Sequence, residues 1–172
     1  MDTLLNRTLL ADNHCFGCGH ANPHGLHIEV QRDPDDPQRL IGRFQPTPAM
    51  TGFPGITHGG VLYTAMDCLS TWVASVLGPN PGAAWVLRLA NLTYQNPAPE
   101  GQALALSGWI KEQAGPWEPL LVQTETRRAD GQVCVAAEFK VVPLKPQRLV
   151  KIAGIKALPE NWARFLRAGQ SG

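Results

Sequence analysis

The sequence predicts an α+β fold in which an antiparallel sheet wraps a single buried helix, and three observations carry that prediction. The first is the segment from about Gly59 to Leu77, whose apolar side chains (Val61, Leu62, Ala65, Met66, Leu69, Trp72, Val73, Val76, Leu77) fall on nearly every side of a helix. A helix apolar all round belongs in a core. The second is the strand-type pattern that follows it and persists: Ala84 to Tyr94, Gln102 to Lys111, Leu120 to Arg128 and Gln132 to Val142. The third is Asp130-Gly131, set between two alternating runs, a strong hairpin signal.

The remaining elements follow in order. Met1 to Pro23 reads as a short helical or irregular cap ending in turns at Gly17, Gly19 and Asn22-Pro23. Leu26, Ile28 and Val30 alternate with polar neighbours, as in a half-buried strand. The loop Asp33 to Pro37 turns the chain into a second strand, Arg39 to Phe44, and a Pro- and Gly-rich loop, Gln45 to Thr57, leads to the helix. Gly78-Pro79 ends it. At the far end LPENWARFLRA, from Leu158, has Pro159 near a helix start and a stripe of Trp162, Phe165 and Leu166; it is a docking helix or a mobile tail. Residues 1–143 are expected as one domain with a cap over 1–25, and 144–172 as a basic extension with a short helix.

Composition narrows the function. With 172 residues, 44% apolar, 17% charged and a net charge of +1, the chain suits one globular domain and lacks a basic field for nucleic acid. The balance is uneven: nine basic against thirteen acidic residues through Val142, then six against one. That basic tail is either a solvated helix or a contact for an anionic ligand such as a nucleotide phosphate. MDTLLNRTLLADN has no apolar run, and the stretch Val61 to Leu77 is short for a bilayer and carries Asp67. A cytoplasmic location with no membrane partner is expected, and Cys15, Cys18, Cys68 and Cys134 are expected as free thiols.

Between Arg43 and Arg88 the only formally charged residue is Asp67, in the middle of the apolar helix. Burying an unpaired carboxylate costs several kcal/mol, so it needs a reason. Asp67 either bonds a hydroxyl one turn away (Thr64 or Thr71), faces water, or is held in a dry pocket as a general base or nucleophile. The second feature is His58-Gly59-Gly60 at the helix start. Free amides there sit at the positive end of the helix dipole, and glycines let a ligand approach them, which suits a developing oxyanion. Gly59 and Asp67 are separated by roughly 12 Å of helix, whereas attack needs atoms within about 3.5 Å. Two antiparallel helices across a twofold axis solve this, so the active unit is expected to be at least a homodimer.

The run GFPGITHGGVLYTAMD resembles the signature of hotdog-fold acyl-CoA thioesterases of the phenylacetate-pathway (PaaI-like) type, in which HGG is followed by Asp nine positions after the His. LANLTYQNPAPEGQALALSGWI is similar to the family's third and fourth strands, and CFGCG…NPHGL to a segment ahead of the first strand in some members. The resemblance covers about Cys15 to Pro143. It implies a hotdog fold, dimers often paired into tetramers, and acyl-CoA hydrolysis at the dimer interface without cofactor or metal. On this chain it implies that the Gly59 amide, assisted by Gly60, polarises the thioester carbonyl, that Asp67 activates water or attacks directly, and that His58 orients the loop or contacts the carbonyl side. Thr51, Phe53, Thr71, Arg88, Arg127 and Arg128 are the candidate substrate contacts, with Lys140 and Lys145 as further phosphate ligands and Tyr63, Trp72 and Trp85 as pocket aromatics. Two positions depart from the family pattern: Thr51 and Gly52 stand where several members have a loop Asn, and Leu87 where many have Ser or Thr. Hence an alternative, an acyl-CoA or small-ligand binder without hydrolysis.

His14 to His27 packs two cysteines and four histidines together. Cys15-x-x-Cys18 supplies two possible zinc ligands, and His14, His20, His24 or His27 could complete four. No second such pair follows, and Cys68 and Cys134 have no sequence reason to meet this segment. A structural turn packing Phe16 and Leu26 on the sheet, with no metal, is the expectation.

Overall fold

The computed structural model describes residues 4–80 and 82–168; 1–3 of the expected cap and 169–172 of the expected extension lie outside the described residues. The elements are α1 (Leu5–Thr8), β1 (Glu29–Arg32), β2 (Arg39–Phe44), β3 (Thr51–Phe53), β4 (Ile56–Thr57), α2 (Gly59–Leu77), β5 (Ala84–Tyr94), β6 (Leu104–Gln113), β7 (Leu120–Arg127), β8 (Val133–Leu144), α3 (Pro146–Ala153) and α4 (Glu160–Ala168). The main sheet is antiparallel in the order β1-β2-β6-β7-β8-β5, and β3 pairs with β4 in a small separate hairpin. α2 packs on β2, β5, β6, β7 and β8, so the sheet wraps it.

Alternation produces this packing. Along β7 every second residue is buried, which turns Leu120, Val122, Thr124 and Thr126 inward. Leu40, Leu104, Leu106, Phe139 and Val141 join them around Leu62, Met66, Leu69 and Val73 of α2. Each such side chain contributes roughly 1.5–3 kcal/mol by leaving water. Gly108 marks the close approach of helix to sheet: a Cβ there would stand 3.0 Å from Val73 Cγ2. By composition α2 is long enough to cross a bilayer, but here it is the core helix.

Four expectations change. β1 starts at Glu29 rather than Leu26, because His27 has φ +53 and the amides of Leu26 and Ile28 donate to Phe16 O and Gly17 O instead of to β2. Leu26 is buried, yet Phe16 is exposed, so only the leucine packs as expected. The loop before α2 holds the β3–β4 hairpin. The extension contains α3 as well as α4, with Pro146 in its first turn and Gly154 (φ +66) closing it. Of the two readings of α4, docking holds: Phe165 stacks on Trp72 at 5.3 Å between ring centroids, and Leu166 is buried.

Candidate active site

The start of α2 is built by His58. Its backbone is extended, and its Nδ1 accepts from the Gly60 amide at 3.0 Å, capping the helix with an imidazole. A neutral ring in that arrangement carries its proton on Nε2. The Gly60 N–H is therefore engaged, and the Gly59 N–H is the one left without an acceptor among the described residues. Tyr94 closes this corner from β5. Its hydroxyl donates to Gly59 O at 3.0 Å, and a Cβ on Gly59 would meet the ring at 3.1 Å. Sequence reasoning did not single out Tyr94 as a site residue; the YQNPAPEG run was its only signal. His58 is anchored by its amide on Met50 O, 2.8 Å away.

Asp67 lies two turns on. Gly60, Thr64, Asp67 and Thr71 share one face of α2, spaced four, three and four residues apart, and none of them is buried by the chain's own sheet. Asp67 Oδ1 is itself buried and has no hydrogen-bond partner among the described residues. Neither hydroxyl considered earlier serves it: Thr64 donates to Gly60 O at 2.9 Å and Thr71 to Cys68 O at 2.9 Å. Burial, then the negative charge of Cys15, raises the carboxyl from its ordinary value to about 6. It thus stays largely ionised at neutral pH while remaining more basic than an ordinary carboxylate.

The other candidates are scattered around this axis. Thr51 is held at the hairpin base by Glu100 and by Pro48 O, and Phe53 is exposed at the hairpin end. Thr71 borders a separate cavity with Trp72 and Trp85. Arg88 is the extra residue of a bulge in β5, exposed and turned out by it. Arg127 and Arg128 sit at the β7–β8 turn, but their guanidiniums are bound by Glu125 and Asp130. Lys145 lies over the Trp117 ring at 5.9 Å.

The cysteine segment differs from expectation. Cys68 does meet it: its Sγ lies 3.6 Å from Cys15 Sγ, and the sulfurs of Cys15, Cys18 and Cys68 lie within 4.8 Å of one another. The cause is tertiary, since the turn docks on the middle of α2. The histidines are elsewhere: His20 contacts Asn6 and Arg7, the His27 ring meets Asn22 O, and His14 faces Asp12. Cys134 is a buried thiol in a bulge of β8.

Residues 54–115, from the β3–β4 turn through α2 and β5 to just past β6, match the family model of the thioesterase superfamily. A solved thioesterase superfamily protein superposes with a TM-score of 0.62 at 28% identity, covering 72% of this chain and 60% of its own. The chain has the hotdog fold, and its central segment is similar to the thioesterase superfamily. It is also similar to the acyl-coenzyme A thioesterase THEM4 of Xenopus laevis, with 34% identity over 83 residues, 45% of this chain. The chain spans only about a third of that relative's length. A hypothetical thioesterase of Streptococcus pneumoniae, solved with coenzyme A, shares the fold at a TM-score of 0.59, with 18% identity and coverage of 69% of this chain and 86% of that one.

Proposed function

We propose that the protein is an acyl-CoA thioesterase acting as a homodimer or a dimer of dimers. The observation that carries this is the Asp67 carboxylate, half sunk in the core helix with a buried oxygen that no described residue satisfies. In the proposed reaction the thioester carbonyl accepts from the Gly59 amide of one subunit, at the positive end of α2. Gly60 assists by holding the His58 ring, whose Nε2–H is left facing outward. Asp67 of the other subunit takes a proton from a water that adds to the carbonyl, or attacks the carbonyl itself to give an anhydride that water then opens. Either way the carbon–sulfur bond breaks, and the products are a carboxylic acid and CoA with its thiol reprotonated.

Support for the two-subunit site comes from geometry. The roughly 12 Å between Gly59 and Asp67 on one helix is too long for one carbonyl, and the stripe carrying Asp67 is open. β5 is an edge strand with Leu89 and Tyr94 exposed, which a second β5 would cover. Coenzyme A as the carrier is supported by the two relatives just described. Phe53, Thr51 and Thr71 are the proposed acyl-side contacts. Arg88 is the best-placed cation for phosphate, because Arg127 and Arg128 already bind acids. No metal, cofactor, nucleic acid or membrane enters this reading, and the protein is taken as cytoplasmic.

A thiol-release assay over an acyl-CoA panel tests the proposal. Asp67→Asn is expected to lower kcat by about 10²–10⁴-fold, with CoA binding by calorimetry retained. Unchanged turnover would remove Asp67 from the mechanism. Leu87, an apolar residue packed against the core, favours the second reading, a binder that does not hydrolyse. Acyl-CoA binding with no turnover on any thioester would establish that reading instead.

A further inference from the structure

We propose that Cys15, Cys18 and Cys68 form a thiolate site for one soft divalent metal ion, with Zn²⁺ the best match. The proposal does not rest on the thioester chemistry, although Cys68 adjoins Asp67 and Cys15 bears on its carboxyl.

The spacing is that of a metal site. Two sulfurs, each about 2.3 Å from a tetrahedral zinc, are roughly 3.8 Å apart. Cys15 and Cys68 are at 3.6 Å, and no pair in the trio exceeds 4.8 Å. A disulfide would bring two sulfurs to about 2.05 Å and leave the third unused. Two ligands come from a tight turn and the third from the core helix, so an ion would pin the cap to α2.

The surroundings hold the sulfurs in place. The Gly19 amide donates to Cys15 O at 3.0 Å, tightening the turn. Asn13, itself buried, accepts from the Cys15 amide at 2.9 Å and directs its own amide at Cys18 Sγ, 3.5 Å away. Gly17 permits the docking, for a Cβ there would stand 2.3 Å from Cys68 Sγ. Asn6 fastens the turn from the other side, donating to Cys18 O at 2.9 Å and Ile28 O at 2.8 Å. Thiols serving only as apolar filler need none of these donors.

No fourth protein ligand is present among the described His, Cys, Asp and Glu residues. All three cysteines border a cavity of about 230 Å³, walled by Trp72, Trp85 and Phe165. A water completes the tetrahedron from there. Each coordinating thiol gives its proton to solvent, and no electron moves.

The test is to reduce the purified full-length protein anaerobically, remove chelator and reductant, and add Co²⁺. One cobalt per chain is expected, with a sulfur-to-cobalt charge-transfer band in the near ultraviolet that added Zn²⁺ abolishes. Cys15→Ser, Cys18→Ser and Cys68→Ser should each weaken binding at least tenfold, while Cys134→Ser should bind as the wild type does. A second measurement needs no variant: Zn²⁺ should slow alkylation of Cys15, Cys18 and Cys68, mapped by peptide mass, and leave Cys134 unchanged. The absence of a charge-transfer band, metal binding intact in Cys68→Ser, or alkylation indifferent to Zn²⁺ would overturn the proposal.

Discussion

Asp67 is a charge that the isolated chain holds at a loss. Its buried oxygen has no partner and its carboxyl is raised to about 6. Folding therefore favours its neutral form. Replacing it by the isosteric neutral amide should raise stability even as it removes activity, by about 1 kcal/mol or more. A thermal melt at pH 8 checks this, and a lower Tm for Asp67→Asn would show that the carboxylate has a stabilising partner in solution. Gly59 and Tyr94 make the opposite kind of pair. Gly59→Ala places a Cβ against the Tyr94 ring, 3.1 Å away, and should cut kcat by more than tenfold. Tyr94→Phe removes only the bond to Gly59 O, and a loss of severalfold is expected. Steady-state kinetics of both variants separates crowding of the amide from loss of its support. Asp67 was legible from the sequence because it is the one charge in a long uncharged stretch. Cys68 was not, because its meeting with Cys15 depends on how a turn lands on a helix 53 residues away.

The elements show where local patterns suffice. The bounds of α2 and β5 were readable to the residue: glycines, a histidine cap and Gly78 delimit the helix, and β5 is a continuous strand-type run. Gly131, at φ +84, occupies the predicted hairpin turn. β1 was misplaced by three residues because Leu26 and Ile28 alternate like strand residues but bond back to the cysteine turn. α3 was overlooked although Pro146 and Gly154 bracket it, since it is only eight residues long and none of them is buried. α4 was legible as an amphipathic segment, and its docking is a matter of energy. Phe165 packs between Trp72 and Trp162. Phe165→Ala should destabilise the protein by about 2 kcal/mol, below the fully buried range because the ring is only partly buried. Denaturant unfolding checks this, and a neutral result would mean that α4 is undocked in solution.

At the scale of the whole molecule, the proposed site divides between two chains, and that division is measurable. Gly59→Ala and Asp67→Asn each disable both sites of a homodimer. Unfolded together and refolded, the two inactive proteins should form mixed dimers that each carry one intact site, recovering about a quarter of wild-type activity by random pairing. A site contained within one chain would recover none. Leu89→Lys, on the exposed edge strand, should shift sedimentation from dimer to monomer and abolish turnover while leaving the monomer folded. This level was the least legible in the sequence, where the span between Gly59 and Asp67 and the family resemblance were its pointers.

The Asn6 side chain, buried in the cap, bonds both the cysteine turn and the first strand, accepting from Val30 N at 3.1 Å. Asn6 thus acts as a strut, and a version trimmed beyond residue 6 should loosen at a distance. Proteases should then cut the stretch between Asp12 and Leu26 faster, because the intact strut holds that surface stretch folded.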